Sequence, residues 1–316
     1  MVYIEFVITV VAGANGMLGR EVLRSSKVRG FATFPAVRSS VDLTKFEDTF
    51  EFLKLINPDL IINCAGLVGG IAANAKHPVE FLNDNIAIQF NLLNAAHLLK
   101  VKRFINIASS CIYPKVTQQP MHPSSLLGGE LEPTNKAFAI AKLSAIELVK
   151  SYRTEFGHEW VSIIPSNLYG NHDNYNLVNA HLMPALIRRF HEANLANIGE
   201  VNLWGTGTPK REFLHVRDLA DAIFLISEKY NYDEPINVGS GEEIEIRELA
   251  EILKKKSNYH GRVSWDHSKP DGTMQKLLDS KEIRNLGWEP KISLEHGVVD
   301  AYDWFARSYM REGIRL

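Results

Sequence analysis

Val10-Val11-Ala12-Gly13-Ala14-Asn15-Gly16-Met17-Leu18-Gly19-Arg20 takes an apolar strand into three glycines and out into a helix with no residue between. Its reading decides the fold. Gly13 permits a tight turn, Gly16 lets backbone N–H groups approach a pyrophosphate, and Gly19 lets the helix pack close to the strand. With Asn15, Met17 and Leu18 they form an anion cradle at a helix N-terminus. The spacing is GxxGxxG rather than the commoner GxGxxG, and on its own it reads equally as an ordinary glycine-rich turn.

Working outward, the chain has 316 residues, 45% of them apolar, and a formal net charge of -2. It is long enough for one large domain and a smaller one. The charge balance and the lack of a basic block exclude bulk electrostatic binding of nucleic acid, so no nucleic-acid partner is expected. Cys64 and Cys111 are the only cysteines. They are far apart and lack metal-type spacing, so neither a disulfide nor a metal site is expected. The apolar opening Val2 to Val11 contains Glu5 and runs straight into the glycine turn, which makes it a first strand rather than a signal peptide. No later run approaches membrane-spanning length, and the expected location is cytoplasmic.

Short apolar runs then alternate with longer periodic segments, the pattern of βαβ units. The expected fold is α/β, a Rossmann-like doubly wound parallel sheet. A helix is expected over Met17–Ser26 and a second strand over Ala32–Val37, with Arg38 at its tip. A basic residue there suits the 2′-phosphate of NADP(H); the plain alternative is a solvated arginine. Asp42-Leu43 is placed to meet the adenine, or Asp42 caps a helix starting at Thr44. Asp59 to Gly66 reads as a buried strand whose last residues, Ala65 and Gly66, leave room for a cofactor against the backbone. Helices over Pro78–Leu99 and Phe138–Tyr152 carry more apolar surface than one buried face needs, which suggests a homodimer through a helix bundle; a monomer with a well-covered sheet is the alternative. The strand Phe104–Ala108 delivers Ser109-Ser110-Cys111-Ile112-Tyr113-Pro114 to the carboxyl edge of the sheet, where ligands of such folds bind. Phe138 and Lys142 stand at i and i+4 on one helix face.

With these motifs in hand, the chain resembles the extended short-chain dehydrogenase/reductase family and, within it, the GDP-L-fucose synthase subgroup. The resemblance spans essentially the whole chain. Besides the glycine turn it rests on Val68-Gly69-Gly70-Ile71, Ser109 to Pro114, Leu131-Glu132-Pro133-Thr134-Asn135, Asn167-Leu168-Tyr169-Gly170, Pro184 to Phe190, Arg211-Glu212-Phe213-Leu214-His215-Val216 and Ser268-Lys269-Pro270-Asp271-Gly272-Thr273. It implies a 3,5-epimerase/4-reductase of GDP-4-keto-6-deoxy-D-mannose. A C4 ketone acidifies the C3 and C5 protons, so inversion needs a base and an acid. The matching residues are Cys111 as base and His181 as acid. Read without the family, Cys111 is a small buried hydrophobe and His181 a capping or core histidine. Ser109 matches the serine that bonds the ketone. Lys142 matches the lysine that holds the nicotinamide ribose and lowers the pKa of a proton-donating tyrosine.

That tyrosine is Phe138 here. The ring stays and the phenol is gone, which is either a deliberate Tyr-to-Phe replacement, favoured by the other positions being intact, or a natural loss. Asn15 also departs from the family, where a basic residue is frequent. The resemblance further implies a smaller mixed substrate domain over 168–210 plus 241–316, against a cofactor domain over 1–167 plus 211–240, with Phe213–Ser227 returning to the main sheet as a helix. Asn167 then meets the hexose, while Arg189, Trp204, Arg211 and Lys276 gather around GDP; arginine suits a diphosphate because its fork donates two bonds at once. Taken singly, each is as readily a surface charge or a core ring. Two alternatives stay open: an enzyme acting on another GDP-4-keto sugar, such as a heptose, and a non-catalytic NADP-binding sensor. Retention of Ser109, Cys111, Lys142 and His181 argues against the sensor.

Overall fold

A computed structural model of the chain describes residues 7–269, 271–311 and 314–316. Residues 2–6 of the expected first strand, and Pro270, lie outside them. The first half runs β1 (Ile8–Ala12), α1 (Met17–Val28), β2 (Ala32–Ala36), α2 (Phe46–Ile56), β3 (Leu60–Asn63), α3 (Ile71–Lys76), α4 (Pro78–Leu98), β4 (Arg103–Ile107), α5 (Lys136–Phe156) and β5 (Val161–Pro165). The second half runs β6 (Asn167–Tyr169), α6 (Leu182–Leu195), β7 (Glu200–Trp204), β8 (Lys210–His215), α7 (Val216–Lys229), β9 (Ile236–Val238), β10 (Glu243–Glu245), α8 (Ile246–Lys256), β11 (Arg262–Asp266), β12 (Gln275–Lys276), α9 (Lys281–Asn285) and α10 (Leu294–Ser308).

Strands of near-continuous apolar residues must be covered on both faces, and here they are. The main sheet has the order β2-β1-β3-β4-β5-β9, and every pairing in it is parallel. Side chains alternate with period two. Val11, Ile62, Ile105 and Ile163 face a core shared with α1 and α7. Val10, Ala12, Ile61 and Phe104 face a second core with α2, α4 and α5. β2 is the edge strand, which is why Pro35 is tolerated in it. Because β1 pairs β2 on one side and β3 on the other, chain direction across the sheet reverses at β1 and β3. Gly13 and Ala65 lie at the carboxyl ends of those two strands, at the switch point where such sheets bind ligands.

The second lobe packs α6, α8 and α10 with β7, β8 and β11 around a separate core that includes Phe190, Phe213 and Phe305. β8 pairs with β6, β10 and β12, not with the main sheet. The stretch Phe213–Ser227, expected as one helix, therefore begins as strand. Phe213 points into the second-lobe core and Leu214 into the first, a period-two alternation, and the helix starts only at Val216. Asp42 does not cap a helix at Thr44 either. α2 begins at Phe46, and the Asp42 carboxylate instead accepts the Thr44 N–H at 3.1 Å and its hydroxyl at 2.6 Å, closing a turn.

Candidate active site

The glycine turn is built to a tolerance that admits no other residue at two positions. Gly13 has φ +72°, and a Cβ there would lie 2.7 Å from the Ala65 Cα; at Gly19 it would lie 2.3 Å from the Gly13 carbonyl oxygen. Gly13 and Ala14 both donate to the Ala36 carbonyl, which ties the turn to the end of β2. Gly16 is the N-cap of α1, with no side-chain cap and no acidic residue in the first turn. The helix therefore presents N–H groups and the positive end of its dipole, which favour an anion. Asn15 is exposed beside it. Met17 and Leu18 open the helix, Leu18 into the core. Arg38 lies two residues beyond β2, exposed and without an ion pair among the described residues. The Leu43 carbonyl accepts the Asn91 amide at 3.0 Å, which anchors the Asp42-Leu43 turn to α4.

Across the sheet, the carboxyl ends of β3 and β4 bring the remaining groups together. A Cβ on Gly66 would lie 3.6 Å from Lys142 Nζ. Lys142 is 4% exposed, and its ammonium donates to the Ile107 carbonyl at 3.0 Å. Burial pulls its pKa down to about 8, opposed by the neighbouring thiols of Cys111 and Cys64. The same Nζ lies 5.8 Å from the centre of the Phe138 ring, and Phe138 meets Phe81 edge-on at 6.2 Å. Ser109 caps the short turn of Ser110–Ile112, its hydroxyl accepting the Cys111 N–H at 3.5 Å. Cys111 is nearly enclosed. Burial pushes its thiol up, and Lys276 first, then Ser109 and Lys142, pull it back down. Cys64, half-buried beside Lys142, is pushed up to about 12 by desolvation and stays a neutral thiol.

His181 is the N-cap of α6. Its ring is exposed, yet crowding by protein depresses its pKa. That combination belongs to a side chain lining a concave space. A contact distant in sequence holds it there: Gly70 N–H donates to the Asn179 carbonyl at 2.9 Å, and a Cβ on Gly70 would lie 2.4 Å from the Ala180 oxygen. A Cβ on Gly69 would lie 3.1 Å from Phe81 Cζ and 3.4 Å from the Asn179 oxygen, so Gly69 is packed between Phe81, which meets Phe138, and the His181 loop.

The expected nucleotide residues sit on the second lobe. Arg189 on α6 reaches the Asn202 carbonyl of β7 at 3.4 Å, and Trp204, 57% exposed, closes that strand. Asp271 accepts the Thr206 N–H at 2.6 Å and its hydroxyl at 2.9 Å, which fixes the turn after Trp204. Burial lowers the pKa of Arg211, and Asp271 opposes that effect. Lys276 pairs in register with Arg211 across β12 and β8, and its charge is felt at Cys111. It is thus a neighbour of the thiol as much as of the arginine. Asn167 commits its amide N–H to the Glu212 carbonyl at 2.7 Å and keeps its oxygen free of that bond. Glu212, Asn237 and Gly70 carry much of this positioning. Sequence reading did not single them out, and only the Arg211 to Val216 and Val68 to Ile71 motifs hinted at them.

A cofactor cradle at a sheet switch point, with a serine, a thiol and a lysine on the adjacent edge, is the layout of a nucleotide-dependent enzyme acting on a second ligand. The profile described as the NAD dependent epimerase/dehydratase family matches residues 9–239, and the chain belongs to that family. It is an NAD(P)-dependent oxidoreductase/epimerase. Within the family it is similar to GDP-L-fucose synthase 1 of Arabidopsis thaliana, 44% identical over 299 residues that cover 94% of this chain and 93% of the relative. Among solved structures, the gdp-l-fucose synthetase of Naegleria fowleri bound to NADP superimposes with TM-score 0.89 at 25% identity, covering 98% of this chain and 96% of that one. A GDP-6-OMe-4-keto-L-xylo-heptose reductase from C. jejuni gives TM-score 0.90 at 27% identity, covering 96% and 98%.

Proposed function

We propose that this chain is a 3,5-epimerase/4-reductase of GDP-4-keto-6-deoxy-D-mannose that uses NADP(H), with its reductive step slowed by the phenylalanine at position 138. The observation that carries the reading is the placement of Cys111, flanked by Ser109, Lys142 and Lys276, on the sheet edge next to the cofactor cradle. Full-length similarity to a GDP-L-fucose synthase supports it.

The cradle fits the cofactor. An uncapped helix N-terminus for the pyrophosphate, glycines with no room for a side chain, and an exposed Arg38, unpaired among the described residues, for a 2′-phosphate are what a bound NADP(H) needs. Gly13, Asn15, Gly16, Met17, Leu18 and Gly19 would hold the pyrophosphate, Arg38, Asp42 and Leu43 the adenosine, and Ala65, Gly66 and Lys142 the nicotinamide half. When bound it supplies hydride to C4. The chain's own residues do the rest. Cys111 removes the proton at C3 or C5, and the thiolate it needs is favoured by Lys276 and Lys142. His181, whose pKa its crowded setting lowers, acts as the acid and delivers a proton from its protonated ring to the opposite face. Ser109 donates to the C4 oxygen, first as ketone and then as enolate. Arg189, Trp204, Arg211 and Lys276 bind the GDP portion, and Asn167 offers its free oxygen to the hexose.

In D₂O with GDP-4-keto-6-deoxymannose and no reductant, the protein incorporates deuterium at C3 and C5, and Cys111→Ser abolishes it. Absence of exchange in a protein that binds GDP overturns the epimerase and leaves reduction of another GDP-4-keto sugar, the reading favoured by the fit to the heptose reductase. α4 and α5 pack along each other and leave Phe90 and Ile140 each 38% exposed on their outer surfaces, so the protein pairs through these helices. Sedimentation shows a dimer that Phe90→Glu with Ile140→Glu dissociates.

A further inference from the structure

Beneath the catalytic edge lies a buried carboxylate that the chemistry above does not use. Glu212 in β8 has 0% exposure. Its Oε1 accepts the Gly241 N–H at 2.7 Å and its Oε2 the Leu278 N–H at 3.0 Å. Gly239 makes the room, since a Cβ there would lie 2.2 Å from Glu212 Oε1. Burying a carboxylate is costly even when both oxygens are bonded, and an apolar residue would fill a sheet position without that cost. What the carboxylate provides is direction: two backbone N–H groups from different segments are drawn to one point.

One of those segments is the short run that contains Lys276, and it is also held from the side of Cys111. Tyr113, two residues past the thiol, donates its hydroxyl to Asn237 Oδ1 at 2.6 Å, and the Asn237 amide donates to the Met121 carbonyl at 2.8 Å and the Asp279 carbonyl at 3.1 Å. Met121 in turn donates to the Leu277 carbonyl and accepts from Asp279 N–H. The strand bearing Lys276 is thus fixed between Glu212 on one side and the Cys111 turn on the other.

We propose that Glu212 is a positioning residue for the reaction: through the Leu278 amide it registers β12, and with it Lys276, against the Cys111 thiol. The proposal rests on the reading that Cys111 is the base only for its consequence in catalysis; the placement of Lys276 is measured on the thiol itself. The charged or polar groups that act on Cys111 are Lys276 from β12, Lys142 from α5 and Ser109 from its own turn, while Arg211 and Glu132 act on Lys276. If Lys276 is displaced, the thiol loses the largest of the influences that favour its ionised form.

The experiment is site-resolved alkylation of Cys111 by iodoacetamide across pH, with mass spectrometry separating it from Cys64, in Glu212→Gln and in Gly239→Ala. The second variant leaves the carboxylate in place and pushes it with a methyl group. NADP⁺ affinity, which depends on the other lobe, reports that each variant is folded. Both variants retain NADP⁺ binding, and the pH midpoint of Cys111 alkylation rises by about one unit, slowing the reaction about tenfold at neutral pH. Unchanged midpoints in folded variants overturn the proposal, even if thermal stability falls, because that is the signature of a merely structural role. Should Glu212→Gln not bind NADP⁺, Gly239→Ala decides alone. Should neither bind, amide hydrogen exchange on the unaltered chain decides: Leu278 and Gly241 exchange as slowly as core sheet amides, and rapid exchange at either removes the clamp. Loss of the reading that Cys111 is the base would instead show as C3/C5 exchange that survives Cys111→Ser, and loss of the epimerase as no exchange in the unaltered chain, whatever Glu212 does.

Discussion

At the residue scale, the most informative position is one that lacks an atom. Phe138 keeps its ring within the layer of Phe81 and Lys142, and on the proposed reading it stands where a proton-donating phenol would. Lys142 stays bound to the Ile107 carbonyl and is itself held near pKa 8, close enough to neutrality to act on a phenol beside it. Phe138→Tyr therefore accelerates NADPH consumption with the keto sugar by about 10²–10⁴-fold, the scale of a general acid, while deuterium exchange at C3 and C5 stays within about twofold. Fast NADPH oxidation by the unaltered chain would falsify the assignment of the proton donor. Arg38 makes a separate claim. Its guanidinium is exposed and, among the described residues, unpaired at the tip of β2, so Arg38→Ala weakens NADPH binding by about tenfold or more and leaves NADH binding as it was, a difference that calorimetry reads directly. Equal losses for the two cofactors rule out a 2′-phosphate contact.

At the element scale, the parts that were legible in the sequence are those whose physics is local. The strand, glycine turn and helix of residues 8–28 could be read because a positive φ at Gly13 and the close approach at Gly19 leave one residue type for each position. β8 was misread because its apolar residues run without a break into the periodic pattern of α7, and only the two separate cores show that Phe213 and Leu214 alternate. The His181 loop was illegible in a different way. Its residue was found by family resemblance, but what holds it is a bond from Gly70, more than a hundred residues earlier, and no local pattern reports such a contact. Gly70 has φ −66°, so replacing it brings no backbone strain and only a collision. Gly70→Ala, whose methyl would lie 2.4 Å from the Ala180 oxygen, pushes the N-terminus of α6 away from the first lobe. C3/C5 exchange falls by about 10²-fold, as a misplacement near 1 Å does, while NADP⁺ affinity is kept. Retained exchange in that variant means that His181 is positioned by something else.

At the scale of the whole molecule, the loop from Gly170 to Ala180, between β6 and α6, touches the first lobe at Gly70 and is gripped from several directions. Tyr175 N–H donates to the Arg315 carbonyl at 2.8 Å, the Asn176 amide donates to the Leu316 carbonyl at 3.0 Å, and Tyr175 stacks on Trp304 of α10. Only the helical character of Ala301 to Ala306 could be read from sequence; its engagement with this loop depends on the assembled second core. Inside the loop sits Asp173, buried, with Oδ1 accepting the Asn174 N–H and Oδ2 without a partner among the described residues. Burial raises its pKa from 3.8 to about 7, against the pull of that N–H and of Arg315. The sign follows from proton linkage. Between about pH 4 and 7 the folded protein holds a proton here that the unfolded chain has released, so this group's contribution falls as pH rises through that window and is fully lost above it. Asn at this position keeps an oxygen for Asn174 and cannot ionise. Asp173→Asn accordingly lies closest to the unaltered protein at about pH 4 and exceeds it by about 2–4 kcal/mol at pH 8 in urea unfolding, the gap opening through the window between them. A gap that is constant with pH, or a variant that is weaker at pH 8, would show that the Asp173 carboxylate is ionised and stabilised in the folded protein, with Arg315 rather than burial setting its charge.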